Sequence, residues 1–281
     1  MTGRSAGPAR RTLRIAALVL WLAPAFFAVR ADERIAPAGG GGFDLELRQF
    51  DATDVFLPDQ YGTSTLPGSE LRYSMLRLTG TQGLGHDLSI EYDLRAAHIE
   101  KIHDSHGQRL VQSAAGLQDQ EIGLNLGLRQ RRTLADSISL NVIIPTGQIH
   151  TVPSLGVGHT AIEPDYQIGV AHGGLQVSLE AGPRVFVDGG AAQMRAELDT
   201  MLAVSRRLEL GILVFYVRTL TLHKPLPLAD SAELYNVLRP GLRLKYRVSR
   251  HFKPFIEYER DVAGQAIHAG QRLTVGVSYE Y

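Results

Sequence analysis

The sequence predicts an all-β protein, a transmembrane antiparallel up-and-down β-barrel of about 12 strands. Apolar and polar residues alternate in many segments, and long and short connections alternate between those segments. Neighbouring side chains of a strand point to opposite faces, so alternation gives each segment one apolar and one polar face. The segments run for roughly 9 to 13 residues, whereas soluble strands usually have about 5 or 6. A tilted membrane strand needs about 9 to 11 residues, so segment length favours a membrane barrel over a soluble β-sandwich.

The first 31 residues have the three parts of a secretory signal peptide. The basic residues of its first part are Arg4, Arg10, Arg11 and Arg14. An apolar run follows over residues 15–29, and the small residue Ala31 suits cleavage after it. That run is shorter than the roughly 20 residues of a membrane-spanning helix. We therefore predict a cleaved signal peptide (1–31), a flexible glycine-rich periplasmic lead-in (32–42) and an outer-membrane barrel (43–281).

Composition excludes several function classes. Residues 1–31 contain five of the 29 basic residues and none of the 29 acidic ones, so the remainder has a net charge of about −5. This balance, without a basic stripe, excludes nucleic acid as an expected partner. The chain has no cysteine, which excludes disulfides, zinc–thiolate sites and a cysteine nucleophile. We predict neither a cofactor nor a metal site.

The predicted strands account for the whole region after the lead-in. They are 43–52, 69–80, 84–96, 119–130, 134–144, 160–171, 174–184, 191–205, 207–219, 233–247, 250–260 and 269–281. The segment 97–118 is predicted to be a long polar outer loop, and 145–159 is another. An even number of strands places both termini in the periplasm, with short turns on that side. After residue 31 no apolar run is long enough for a transmembrane helix, so a closed barrel is the membrane-spanning structure that remains.

The polar face of each strand is predicted to line the lumen. The candidate lumen residues are Asp87, Glu91, Asp93, Glu121, Arg195, Glu197, Asp199, Arg239, Arg243, Lys245, Glu257 and Glu259. Charges of both signs fit two interpretations, a water-filled path that selects solutes or a salt-bridged plug that closes the barrel. Four cations share one face of a strand, and their cross-strand pairing with Glu257 and Glu259 of the next strand is the favoured interpretation. These cations are Arg239, Arg243, Lys245 and Arg247.

The stretch 98–107 contains the most reactive side chains of the chain. His103 and Ser105, followed by a glycine, are similar to the His-x-Ser-Asn-Gly stretch of outer-membrane phospholipase A, which is also a twelve-stranded barrel. That resemblance implies Ser105 as nucleophile and His103 as its base. His106 replaces the asparagine of that motif, and the next asparagine is Asn125. A lipid hydrolase therefore stays as an alternative function.

Residues 117–170 carry a second resemblance. A strand ends in Pro145-Thr146-Gly147, a loop contains Leu155-Gly156-Val157-Gly158, and the next strand passes through Glu163-Pro164. Proline ends a strand ladder and glycine opens a loop. This pattern resembles the outer-membrane barrel family named for the MetA pathway of phenol degradation, with Asp119 standing for an upstream aspartate of that family. The resemblance implies a passive channel for small solutes, hydrophobic or aromatic ones included, without catalytic residues.

Three functions therefore stay open. The first is a monomeric outer-membrane diffusion channel, the second is the hydrolase, and the third is a closed structural barrel. The expected partners are outer-membrane lipid, small-molecule solutes and the barrel-assembly machinery of the Gram-negative cell. The chain ends on the aromatic residue Tyr281, with Tyr279 on the same face, and this resembles the C-terminal signal that the assembly machinery binds.

Overall fold

A computed structural model describes residues 35–105, 108–187, 192–220 and 235–281, and the signal peptide prediction lies outside them. These residues form fourteen strands. The strands are β1 (Gly41–Phe56), β2 (Thr65–Gly85), β3 (Leu88–Ser105), β4 (Gln108–Leu117), β5 (Gln120–Gln130), β6 (Leu134–Ile144), β7 (Ala161–His172), β8 (Leu175–Phe186), β9 (Ala192–Ala203), β10 (Leu208–Thr219), β11 (Asn236–Tyr246), β12 (Phe252–Arg260), β13 (Ala263–Gln265) and β14 (His268–Glu280).

Twelve of the strands form a closed antiparallel ring. The order around the ring is β1, β2, β3, β5, β6, β7, β8, β9, β10, β11, β12 and β14. The ring closes because β14 pairs with β1 from Gly42 opposite Glu280 to Val55 opposite His268. Each strand otherwise pairs with its neighbours in the sequence, apart from two short additional strands. The predicted all-β, twelve-stranded, up-and-down barrel is therefore confirmed.

The two additional strands continue ring strands across an interruption. β4 pairs with the second half of β3, and β5 pairs with its first half, with Gln118 and Asp119 between them. β13 similarly pairs with β11 beyond the end of β12. The prediction of a loop over 97–118 was wrong, because β3 and β4 form a hairpin across most of that segment. A strand that extends beyond the lipid needs no apolar face, so its alternation is weak.

The distribution of polar residues is the reverse of that in a water-soluble protein. Along β7, Glu163, Asp165 and Gln167 are buried inside the ring, whereas Ile162 before them, Tyr166 between them and Val170 after them are exposed. The same exterior carries exposed leucines on most other strands. An apolar exterior around a polar interior is the pattern that lipid imposes on a spanning barrel. Within the described residues, no helix is long and apolar enough to cross a membrane.

The two ends of the barrel differ. At one end, called here the terminal rim, the backbones of Gly41 and Tyr281 exchange hydrogen bonds of 3.2 and 3.0 Å. The short turns between β2 and β3 and between β5 and β6 are at this rim. The opposite end, called the loop rim, carries the β3–β4 hairpin and the long connection 145–160. Long and short connections thus segregate to opposite ends.

Candidate functional site

The lumen contains two adjoining cavities, each with about 410 Å³ of space for water. The terminal cavity lies toward the terminal rim and reaches Glu280 at the end of β14. The loop cavity lies toward the loop rim and reaches Leu71. Asp44, Arg77 and Thr79 line both cavities, so these three residues mark the boundary between the two.

The terminal cavity is rich in carboxylates. Its charged lining residues are Asp44, Arg77, Glu91, Asp93, Glu121, Glu180, Lys245 and Glu280. Six of these are acidic and two are basic. They come from strands on both sides of the ring, namely from inward positions of β1, β2, β3 and β5 and of β8, β11 and β14. A dense group of carboxylates in a narrow space requires water or cationic partners.

The loop cavity combines arginines with aromatic rings. Its arginines are Arg48, Arg77, Arg95, Arg195, Arg239, Arg243 and Arg272. The guanidinium carbons of Arg195 and Arg239 lie 5.4 and 5.5 Å from the centre of the Phe215 ring. That of Arg272 lies 6.0 Å from the Tyr73 ring centre, and its Nε donates to the Tyr73 hydroxyl at 3.0 Å. Such contacts hold the guanidinium planes in place.

Each arginine of the loop cavity also pairs with a carboxylate. The pairs are Arg48 with Glu46, Arg77 and Arg95 with Asp93, Arg195 with Glu163, Arg239 with Asp261, Arg243 with Asp199 and Glu257, and Arg272 with Glu259. Arg243 of β11 pairs with carboxylates on both sides of its strand, at 2.5 Å from Asp199 of β9 and 2.7 Å from Glu257 of β12. The predicted pairing of the β11 cations with the next strand therefore occurs at Arg243. Pairing cancels most of the arginine charge locally.

The structure places eleven of the twelve candidate lumen residues on the inner face of the ring. Those lining the terminal cavity are Glu91, Asp93, Glu121 and Lys245, and those lining the loop cavity are Arg195, Glu197, Arg239, Arg243, Glu257 and Glu259. Asp199 pairs with Arg243. Asp87 differs: it lies exposed in the turn between β2 and β3 with a φ of 57°. Aspartate tolerates that left-handed conformation. The turn consists of residues 86 and 87, whereas the sequence predicted it at residues 81–83.

Several lumen residues were absent from the candidates. Arg77, Arg95 and Glu163 complete the ion pairs of Asp93 and Arg195. Each was detectable from the alternation, since Arg95 lies two positions after Asp93 on the same face. The alternation does not predict which of these charged side chains pair with each other across the ring.

The connection 145–160 folds into the loop end of the lumen. Leu155 is 1% exposed and packs against inward-facing apolar residues of the first four strands. These residues are Phe50, Ala52, Leu71, Met75, Ala97, Ile99 and Ala114. Val157 contacts a second apolar group formed by Ile143, Ala161 and Phe186. The connection therefore narrows the loop cavity from its open side.

Asp119 holds this connection from the interruption between β4 and β5. Its Oδ1 accepts a hydrogen bond from the Gly147 amide at 3.0 Å, and its Oδ2 accepts one from Val157 at 2.7 Å. The Cα of Gly156 and that of Gly147 lie so close that a side chain on either would overlap the other. The Pro-Thr-Gly motif, the Gly-rich loop and Asp119, which the sequence analysis singled out together, thus form one structural unit.

Residues 35–40 narrow the terminal end of the lumen. The Gly39 amide donates to the Gly83 carbonyl at 3.1 Å, and the Gly83 amide donates to the Gly40 carbonyl at 2.9 Å. Ile35 reaches β5, where its amide donates to Gln130 Oε1 at 2.9 Å. Gly83 points inward, and a Cβ there would overlap the backbone of the segment. Residues 35–40 of the predicted lead-in therefore lie against the inner wall of the barrel.

His103 and Ser105 lie at the end of β3, opposite Leu110 and Gln108 of β4. His103 Nδ1 is buried and has no hydrogen-bond partner among the described residues. His106 lies outside the described residues, and Asn125 donates to Glu91 inside the lumen, far along β3 from His103. In the described ranges, no three His, Asp or Glu side chains gather as metal ligands would. Among the described side chains, His103 and Asn125 are therefore not brought together.

Similarity to solved structures, rather than to known sequences, indicates the class of protein. The sequence matches no protein-family model and no curated protein sequence. The structure is similar to that of an outer membrane channel from Pseudomonas putida F1, with a TM-score of 0.65 and 12% identity over 89% of this chain and 98% of that chain. It is also similar to the translocator domain of autotransporter NalP from Neisseria meningitidis, with a TM-score of 0.51 and 12% identity over 97% and 96% of the two chains.

TM-scores above 0.5 over most of both chains show a common fold, and at 12% identity they show the fold alone. The chain is thus a transmembrane β-barrel of the kind found in bacterial outer membranes. Its candidate functional site is the polar lumen with its two cavities. At the level of the fold, the similarity to the Pseudomonas channel agrees with the barrel type that the sequence resemblance implied.

Proposed function

We propose that this protein is an outer-membrane channel for the passive diffusion of small solutes. The observation that carries the proposal is the pair of adjoining cavities inside a closed barrel with an apolar exterior. Their lining runs from Glu280 at the terminal rim to Leu71 near the loop rim. An ion-paired but hydrated lumen fits a solute path, because water fills space between side chains that alternate in charge.

Small size is the first property we assign to the solutes. The connection 145–160 and the segment 35–40 occupy the two ends of the lumen, and each cavity has about 410 Å³ of space for water, which favours small molecules. The second property is tolerance of apolar groups. Phe50, Leu71, Met75, Leu213 and Phe215 line the loop cavity and offer apolar surface to solutes with hydrocarbon or aromatic parts. The fold similarity to the Pseudomonas outer membrane channel supports a channel as well.

The proposal includes an orientation and partners. Both described ends of the chain lie at the terminal rim, which we assign to the periplasm, as in other single-chain barrels with an even number of strands. Lipid is the partner of the apolar exterior. Tyr279 and Tyr281 are 39% and 50% exposed at the end of the last strand, which leaves them accessible to the barrel-assembly machinery.

Planar-bilayer recording tests the proposal against the two alternatives. Purified protein, shown to be folded by its heat-shifted gel mobility, is expected to give discrete current steps that scale with salt concentration. Ser105→Ala is expected to leave those steps unchanged, since Ser105 lies at the end of the β3–β4 hairpin. Folded protein that gives no steps would support the closed barrel. Phospholipid hydrolysis that disappears in Ser105→Ala would support the hydrolase.

A further inference from the structure

Three of the carboxylates that line the two cavities remain uncompensated after the ion pairs are assigned. Within the described ranges, Asp44, Glu91 and Glu197 have no arginine or lysine nitrogen within 4.0 Å, unlike the carboxylates that hold the arginines. Glu91 accepts a hydrogen bond from Asn125 Nδ2 at 2.6 Å, but a neutral donor leaves its charge in place. On the cationic side, Lys245 is uncompensated and lies 5.7 Å from the Phe255 ring centre. The residual charge of the lumen is therefore negative.

These carboxylates are distributed along both cavities. Glu197 lines the loop cavity, Asp44 lies at the boundary shared by the two, and Glu91 lines the terminal cavity. A mobile ion that moves from one rim to the other therefore passes a carboxylate at each level. The arginines on the same path are each held by a carboxylate, so they attract anions weakly.

A second, independent feature concerns Ser278 on β14. Its side chain is only 6% exposed, lines the terminal cavity, and its Oγ has no hydrogen-bond partner among the described residues. Buried hydroxyls are nearly always paired, so this oxygen is left for a species inside the cavity. Carboxylate and hydroxyl oxygens are the ligands that hard, hydrated cations prefer. The cavity thus offers oxygen ligands beside an uncompensated negative charge.

We propose that the lumen passes small cations in preference to anions, with Asp44, Glu91 and Glu197 as the selecting carboxylates. The inference rests on the proposed channel function. Its cause is electrostatic: in a narrow water path surrounded by lipid, fixed charge of one sign raises the local concentration of ions of the opposite sign. Rings of acidic side chains select cations in other channels for the same reason.

The test is the reversal potential of the wild-type channel under a KCl gradient across a planar bilayer. The dilute side is kept at about 0.01 M, where the Debye length of about 30 Å leaves the fixed charges unscreened. We expect a reversal potential with the sign of a cation-selective channel, corresponding to a K⁺ to Cl⁻ permeability ratio of about 3 or more. The selectivity is expected to weaken when both sides are at about 1 M KCl or higher.

Amide substitutions assign the selectivity to residues. Asp44→Asn, Glu91→Gln and Glu197→Gln combined are expected to bring the permeability ratio close to that of an unselective pore, with each single change producing part of the loss. Asp87→Asn is the matched control, because Asp87 is exposed in a turn outside the lumen and asparagine tolerates its φ of 57°. It is expected to keep the wild-type ratio.

The failures of the two proposals are distinguishable. Current steps with a reversal potential at zero, or with the sign of an anion-selective channel, would overturn the cation inference and leave the channel function standing. Wild-type selectivity that survives the triple substitution in folded protein would overturn the assignment to these carboxylates. Folded protein without current steps would overturn the channel function, and the cation inference with it.

Discussion

The two ends of the lumen are both narrowed by a segment that is not part of the ring, but the two segments are held differently. At the loop rim, Leu155 is buried in an apolar cluster and Asp119 accepts two backbone hydrogen bonds. At the terminal rim, residues 35–40 are held by hydrogen bonds to Gly83 and Gln130, and residues 37–39 are exposed. The loop segment is therefore anchored by a buried side chain and a carboxylate, and the terminal segment by hydrogen bonds between neutral groups.

This difference indicates which of the two segments is displaced from the lumen at the lower free-energy cost. Burial of a leucine and two hydrogen bonds to a charged acceptor stabilise the loop segment by several kcal/mol. Hydrogen bonds between neutral groups contribute about 0.5 to 1.5 kcal/mol each, so the terminal segment opens at lower cost. We expect the connection 145–160 to be a fixed constriction and the segment 35–40 to be the more mobile one.

The largest expected effect is that of Asp119→Ala. It removes two hydrogen bonds to a charged acceptor, each of about 1.5 to 3 kcal/mol, and leaves the Gly147 and Val157 amides without a partner. Amide hydrogen exchange in 145–160 should accelerate strongly and the single-channel conductance should rise. Asp119→Asn, which keeps one acceptor, should show an intermediate effect. Unchanged exchange in Asp119→Ala would contradict the anchoring role.

Leu155→Ala should have the next largest effect. Truncation of a fully buried leucine costs about 2 to 5 kcal/mol. Here the cost falls on the docking of the connection, because the surrounding side chains belong to paired strands of the barrel. The measurements are again amide hydrogen exchange in 145–160 and single-channel conductance. Val152→Ala is the control in the same connection, since Val152 is 54% exposed. Equal effects of the two substitutions would contradict the role of burial.

Gly83→Ala tests the terminal segment. A Cβ at this position would overlap the carbonyl oxygens of Ala36 and Pro37, so the segment must move away from the wall and lose two backbone hydrogen bonds. We expect a loss of about 1 to 3 kcal/mol in segment docking and a higher conductance at unchanged barrel stability. Gly62→Ala is the control, because nothing lies within 4 Å of a Cβ there. Identical conductance of the two variants would show that the segment does not restrict the path.

The smallest effect is expected for Gln130→Ala. It removes the hydrogen bond that its Oε1 accepts from the Ile35 amide, a loss of about 1 kcal/mol. Exchange of the Ile35 amide should become several-fold faster, while exchange at Gly147 stays the same. An effect on both amides would contradict this, because it would indicate that the segments at the two ends are coupled.

The parts of the fold that contact lipid were predictable from the sequence. Lipid on one side and water on the other impose period-two alternation, and all twelve ring strands follow from it. The β3–β4 hairpin was missed because strands beyond the lipid are free of that requirement. Asp87 was placed on a strand because the alternation continues through the turn that contains it.

The contacts inside the lumen were only partly predictable. Arg243 pairs with Asp199 of β9 and with Glu257 of β12, and the first partner lies across the intervening strand β10. Arg195 similarly reaches Glu163 of β7 across β8. Contacts across an intervening strand depend on barrel curvature and register, which the alternation of single segments does not contain. The inward position of Arg195 and Arg243 follows from alternation, but their partners do not.

The most direct test of the central claim, that solutes pass through this lumen, is thiol modification at Thr79. The chain has no cysteine, and Thr79 lines both cavities at their boundary. In Thr79→Cys, a bulky methanethiosulfonate reagent should block most of the single-channel current, and a reducing agent should restore it. Leu76→Cys, on the lipid-facing side of β2, should be insensitive. Full current through Thr79→Cys whose labelling is verified by mass would contradict the claim.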